Sequence, residues 1–106
     1  MLEGGFKTKL VKEIKSRLEG SEVFHLNPFD KQGIPDLLIL YKKKWGVLEG
    51  KKDSKSSHRP NQDYYVDKFN KMSFARFISP ENKEEVLDEL EQTFRPKRNT
   101  RSIGGK

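Results

Sequence analysis

The chain has no cysteine and only two histidines, His25 and His58, far apart in sequence. Without thiols, neither a disulfide framework nor a thiolate zinc site can form, and two distant histidines argue against an imidazole cage. Any metal must be held mainly by oxygen, which selects Mg²⁺ or Mn²⁺ over zinc. Apolar residues are also scarce, at 32% against 36% charged. No apolar run approaches the roughly 20 residues of a membrane span, and no signal-peptide pattern opens the chain. A cytoplasmic protein with no membrane partner is expected. Acids are outnumbered, 16 against 22 Lys and Arg, leaving a net charge of +6. That balance favours a polyanionic partner. At 106 residues the chain suits one domain with a single modest core.

The apolar residues that are present are well patterned, which argues against disorder. Phe6, Leu10, Ile14 and Leu18 recur at helical spacing with Val11 beside them, and Gly20 ends that helix. Glu3 lies along the same stripe; its plain structural alternative is an acid near a helix N-terminus, where the dipole favours it. Val23–Leu26 reads as a first strand, and Asn27–Gly33 as a loop. Pro60 opens a second helix with Tyr65, Val66, Phe69 and Met72 at helical spacing. Phe74–Ile78 reads as a strand parallel to the one before that helix, because β-helix-β order implies a crossover. Ser79 and Pro80 open a last helix, with Val86, Leu87, Leu90 and Phe94 inward and its acids facing water. The order α-β-β-β-α-β-α predicts an α/β fold: a small mixed sheet flanked by helices, over residues 1–94. Residues 95–106 form a basic tail with no core pattern, whose Arg95, Lys97, Arg98 and Arg101 would add sequence-blind affinity for a polyanion.

Between these elements lies the segment that carries chemistry. Leu37–Tyr41 reads as a strand, Lys42–Lys44 as its turn and Trp45–Glu49 as the returning strand. A turn centred between Lys42 and Lys43 sets Asp36 opposite Glu49, with Cβ atoms roughly 4.5–5.5 Å apart. Alternation puts Lys51 on the face of Glu49. Opposed carboxylates destabilise a sheet unless something binds between them, and a divalent cation does so. The plain alternatives are a strand-start aspartate and a solvent-facing Glu–Lys pair, the latter worth about 0–1 kcal/mol.

Gly33-Ile34-Pro35-Asp36 followed by Glu49-Gly50-Lys51 resembles the PD-(D/E)xK nuclease superfamily, and in particular its VRR-NUC and Holliday-junction-resolvase-like members, many of them from bacteriophages. Glu3 with Phe6 is similar to the first-helix motif of those families, and Gln62 to the glutamine that opens their next helix. The likeness spans roughly Glu3 to Ile78. It implies a restriction-endonuclease-like αβββαβ core, with the last helix as an addition. It further implies a metal-dependent DNA endonuclease acting on branched DNA, with in-line attack of water leaving a 5′-phosphate and a 3′-hydroxyl. On this resemblance Asp36, Glu49, the Gly50 carbonyl and Glu3 hold Mg²⁺ or Mn²⁺, Lys51 contacts the attacking water or scissile phosphate, and Gln62 supports the site. A homodimer and a phage-encoded protein acting in the host cytoplasm are implied too.

Two departures matter. A bulky apolar residue usually stands where this chain has Gly50, and Lys52 follows Lys51, so a register in which Lys52 takes the lysine role stays open. For Gln62 the alternative is an ordinary polar residue in a helix's first turn. Lys52, Ser54, Lys55, Ser56, Ser57, His58 and Arg59 crowd the loop after the catalytic strand, where such residues make phosphate contacts that do not read sequence. His25 reads as structural or exposed. A non-catalytic DNA-binding module on the same fold, which Gly50 favours, and an RNA-acting nuclease are the competing functions.

Overall fold

Leu10, Ile14 and Leu18, one helical turn apart, are all fully buried, so the stripe that makes the first segment amphipathic is also what fastens it to the sheet. Phe6 and Val11 pack at its margin. In the computed structural model, which describes residues 4–27 and 33–96, this helix is α1 (Gly4–Arg17). It is followed by β1 (Glu22–His25), β2 (Leu37–Tyr41), β3 (Lys44–Gly50), α2 (Pro60–Met72), β4 (Phe74–Ile78) and α3 (Lys83–Phe94). Lys15 and Arg17 occupy the last turn of α1, where cations suit the helix dipole, and Gly20 follows with φ of +90°.

The four strands lie in the order β1-β2-β3-β4. β1 and β2 are antiparallel, as are β2 and β3, while β3 and β4 are parallel across the α2 crossover. The β2–β3 register pairs Leu37 with Leu48 and Tyr41 with Lys44, as a turn centred between Lys42 and Lys43 requires. The turn is two residues rather than three, because Lys44 already pairs with Tyr41. Lys42 takes a φ of 56°, the left-handed region that a tight hairpin turn demands of its first residue.

Other boundaries differ from the sequence reading, and β3 runs on to Gly50 where Glu49 was expected to end it. β1 occupies Glu22–His25 instead of Val23–Leu26; Leu26 only adds a closing bond, its N–H donating to the Asp36 carbonyl at 2.8 Å. α3 begins at Lys83 instead of Pro80. The Asn82 side chain accepts the Ser79 N–H at 2.7 Å and donates to the Phe77 carbonyl at 3.1 Å. Those bonds hold residues 79–82 as a turn ahead of the helix.

The sheet separates two cores. On one face Leu37, Ile39, Tyr41, Leu48, Phe74 and Ile78 meet α1 and α3. On the other, Val47 and Ala75 meet Val66 of α2, with Leu38, Trp45, Phe69 and Phe77 partly covered around them. Nor do the acids of α3 merely face water. Arg17 of α1 donates to Asp88 and Glu84 at 2.7 Å each, to Glu13 at 3.2 Å and to Glu91 at 3.4 Å, and Lys83 reaches Glu13 at 2.8 Å. Arg76 pairs with Glu89 at 3.0 Å. The tail cations Lys97, Arg98 and Arg101 lie outside the described residues; Arg95 pairs with Glu91. Among the described residues no helix is long and apolar enough to cross a membrane.

Candidate active site at the end of the β2–β3 hairpin

Asp36 precedes β2 and Glu49 lies near the end of β3, so the hairpin register brings them to the same end of the sheet. The Gly50 N–H donates to Asp36 Oδ2 at 2.9 Å, which closes the hairpin across its open end. Glu49 is 4% exposed and points to the α2 side, since its neighbour Leu48 belongs to the opposite core. Its pKa is pushed up to about 7, first by burial and then by the Asp36 charge, against the opposing pull of Lys51 and Lys7.

Gln62 ties the cluster together. Its Nε2 donates to Glu49 Oε2 at 2.9 Å, while its Oε1 accepts from Lys51 Nζ at 2.6 Å and from the Arg59 N–H at 3.1 Å. With two donors on its oxygen and a carboxylate on its nitrogen, the amide has one satisfactory orientation. The Arg59 bond is half of a capping box at the start of α2, so the element that begins the helix also aims Gln62 at the site. Pro60 at the first helical position sets the backbone for it.

Lys51 is 6% exposed. Besides Gln62, its ammonium donates to the Ser57 carbonyl at 3.2 Å and lies 5.7 Å from the Phe77 ring centroid. Its own N–H continues the β3–β4 ladder to the Ile78 carbonyl at 2.7 Å. Lys52 is exposed; of the two lysines, it is Lys51 whose ammonium joins the carboxylate cluster.

Glu49 Oε1 is buried and has no hydrogen-bond partner among the described residues. A buried carboxylate oxygen without a donor is costly, and a cation is the kind of group that would relieve it. With Asp36 and backbone carbonyls at the strand end, the available donors are all oxygen, a set that fits Mg²⁺ or Mn²⁺. Among the described residues no group of three or more His, Cys, Asp and Glu side chains is placed to hold a metal ion. Glu3, the remaining carboxylate expected at the site, lies outside the described residues.

The loop after β3 is more organised than its composition suggests. Asp53 Oδ1 accepts from the Lys55 N–H at 2.9 Å and the Ser56 hydroxyl at 3.1 Å. Glu81 accepts from the Ser54 N–H, and from its hydroxyl at 3.2 Å. His58 stacks on Phe77 with centroids 3.9 Å apart, and its Nδ1 meets Asp63 at 2.9 Å. The residues expected to meet phosphate thus divide in two. Lys52, Lys55 and Arg59 present exposed side chains, whereas Ser54 and His58 are engaged within the fold and Ser57 offers its carbonyl to Lys51. His25 is exposed.

Sequence reasoning missed Lys7, Phe77 and Asp63. Lys7 is partly buried on α1, and its field reaches Glu49. Phe77 is the parallel-register partner of Glu49, a relation that exists only once β4 is placed.

No protein-family model matches the chain, and no curated protein matches it. A solved structure described as a VRR_NUC domain is similar to it, with a TM-score of 0.58 and 24% identity over 76% of this chain and 92% of that one. The chain's α/β architecture is therefore the fold of a VRR_NUC domain.

Proposed function

We infer that the chain is a divalent-metal-dependent DNA endonuclease that hydrolyses phosphodiester bonds, with branched DNA as its substrate. The observation that carries this reading is Glu49: a buried carboxylate beside Asp36, with one oxygen unpartnered and the other bonded to a glutamine that also holds a buried lysine. Asp36, Glu49 and the Gly50 carbonyl would hold Mg²⁺ or Mn²⁺, with Glu3 as a further ligand. When bound, the ion supplies Lewis acidity that lowers the pKa of water and neutralises charge on the phosphate.

The chain's own residues do the remaining work. Lys51, fixed by Gln62 and Ser57, presents its ammonium to the scissile phosphate or the attacking water and offsets charge that develops in the transition state. Because the lysine is already desolvated and oriented, little reorganisation accompanies the reaction. Lys52, Lys55 and Arg59, exposed on the adjoining loop, contact flanking phosphates without reading bases. The domain ends with α3, the basic tail adds salt-sensitive affinity, and a homodimer supplies two centres for paired cuts.

The test is cleavage of a labelled four-way junction beside its linear duplex arms with Mg²⁺, Mn²⁺ or EDTA. Symmetric junction cuts that vanish with EDTA are expected. The Glu49→Gln variant should bind DNA as well as wild type or better, because a carboxylate near phosphate is removed, while cutting nothing. Binding by wild type with no cleavage under any metal would leave a DNA-binding module on this fold.

A further inference from the structure

α2 packs on β3 and β4, and the same face of the sheet continues past it onto β2 and β1. There Phe24 and Leu40 are 47% and 38% exposed. Both lie on the α2 side, since Val23 and Ile39 belong to the opposite core. α2 itself exposes Tyr64 and Met72, at 55% and 62%, on faces turned away from its buried Val66. These four are the large exposed apolar side chains among the described residues, and all four lie on the α2 side of the sheet.

Ring contacts make that surface continuous. Leu40 pairs with Trp45 across the hairpin. Trp45 meets Phe69 edge-on at 6.1 Å, Phe69 stacks on Tyr65 at 5.6 Å, and Tyr65 meets Tyr64 edge-on at 5.0 Å. Tyr64 lies in the same first turns of α2 as Gln62, about 3 Å further along the axis, but two residues turn its ring to the outer face of the helix while Gln62 faces the carboxylate cluster. Cations accompany the rings. Lys68 Nζ lies 5.6 Å from the Tyr64 ring centroid and 3.4 Å from its hydroxyl, and Lys42 and Lys43 are exposed in the turn at the far end. Apposing two copies of this chain through the surface would bring these ammonium groups together. Aromatic faces bordered by ammonium groups suit bases on a phosphate backbone.

We propose that an unpaired DNA strand leaving the cleavage site lies across this surface, a base stacking on Tyr64 and a phosphate meeting Lys68. The inference rests on the reading of the Glu49 cluster as a DNA-cleaving centre. It goes further by assigning a single-strand binding surface to α2 and the uncovered half of the sheet.

Fluorescence anisotropy of a labelled oligothymidine and a labelled duplex, in EDTA so that neither is cut, tests it. Tyr64→Ala should weaken oligothymidine binding by roughly 5- to 100-fold, the range of one lost base stack, and leave duplex binding within about twofold. Tyr64→Phe should retain the affinity. Lys68→Ala should lower the salt slope for the oligonucleotide by about 0.7. Unchanged oligothymidine binding by Tyr64→Ala would overturn the proposal. So would equal losses on both ligands, or a wild-type dimer that Tyr64→Ala converts to monomer in light scattering, which would assign the surface to a second copy. Junction cleavage by wild type, measured alongside, separates the two readings. An active enzyme whose Tyr64→Ala variant binds oligothymidine normally overturns the stacking surface alone. An inert wild type that loses oligothymidine binding through Tyr64→Ala overturns the cleavage reading and supports the surface.

Discussion

Asp36 accepts the Gly50 N–H on one carboxylate oxygen at 2.9 Å, so the aspartate is both a structural clasp of the hairpin and a charge facing Glu49. The two roles separate on substitution. Asp36→Asn keeps an acceptor for Gly50 but removes the repulsion that helps to raise the Glu49 pKa. This variant should melt at or above the wild-type temperature in EDTA while losing at least about 100-fold in cleavage, the scale of a lost charge-stabilising group. Asp36→Ala should lose cleavage and also about 1 kcal/mol of stability. Calorimetry beside a cleavage assay checks both.

Glu49 also gives the protein a distinctive pH dependence. A carboxyl with a folded pKa of about 7 against an ordinary 4.5 favours the folded state when protonated. Its contribution is therefore fully present below about 4.5 and is lost as pH rises to about 7. Near neutrality the loss is on the order of 3 kcal/mol. In EDTA, denaturant melts should show stability falling across that window, and Glu49→Gln should flatten the fall. Added Mg²⁺ or Mn²⁺ should raise the melting temperature more as pH climbs through about 7, since protons compete for the same oxygens.

Gln62 holds two buried charged groups through one amide. Gln62→Leu leaves Lys51 with the Ser57 carbonyl alone and removes the donor to Glu49. A loss of about 1–3 kcal/mol in urea melts is expected, together with a fall in cleavage larger than the fall in DNA affinity. Gln62→Glu preserves the contact to Lys51 but sets a second carboxylate against Glu49, and should be no better.

Gly33, shortly before Asp36, has φ of +88°, and a Cβ there would meet the Asn61 side chain at 2.7 Å and its backbone carbon at 2.8 Å. Gly33→Ala should cost about 2–4 kcal/mol, combining left-handed strain with overpacking. Adding Asn61→Ala should recover little of that loss, because the backbone carbon at 2.8 Å and the Cβ at 2.9 Å of residue 61 stay in place. A double-mutant cycle in denaturant measures the shared part.

Elements with strong periodicity were legible in the chain. Leu37–Tyr41 and Phe74–Ile78 have the predicted boundaries, and the hairpin register followed from the position of its turn. α3 was misjudged at its start because Ser79-Pro80 is a valid cap-and-proline signal, overridden by the Asn82 side chain. The meeting of Asp36 and Glu49 could be counted from the hairpin. The burial of Lys51 and the two-way hold of Gln62 could not, since both depend on α2 folding back over β3. The loop after β3 read as a plain polar run because Glu81, which secures Ser54, comes 27 residues later.

The Arg17 clamp has a further consequence. It gathers Glu13, Glu84, Asp88 and Glu91 on the α1–α3 side of the sheet, while Glu49, Lys51 and the exposed Lys52, Lys55 and Arg59 lie with α2 and the loop before it. The acids of α3 are thus held across the sheet from the carboxylate and lysine cluster of Asp36, Glu49 and Lys51. Within about a Debye length, a long polyanion meets the acidic stretch of α3 with repulsion. Approach over α3 is thereby disfavoured relative to approach over the loop before α2.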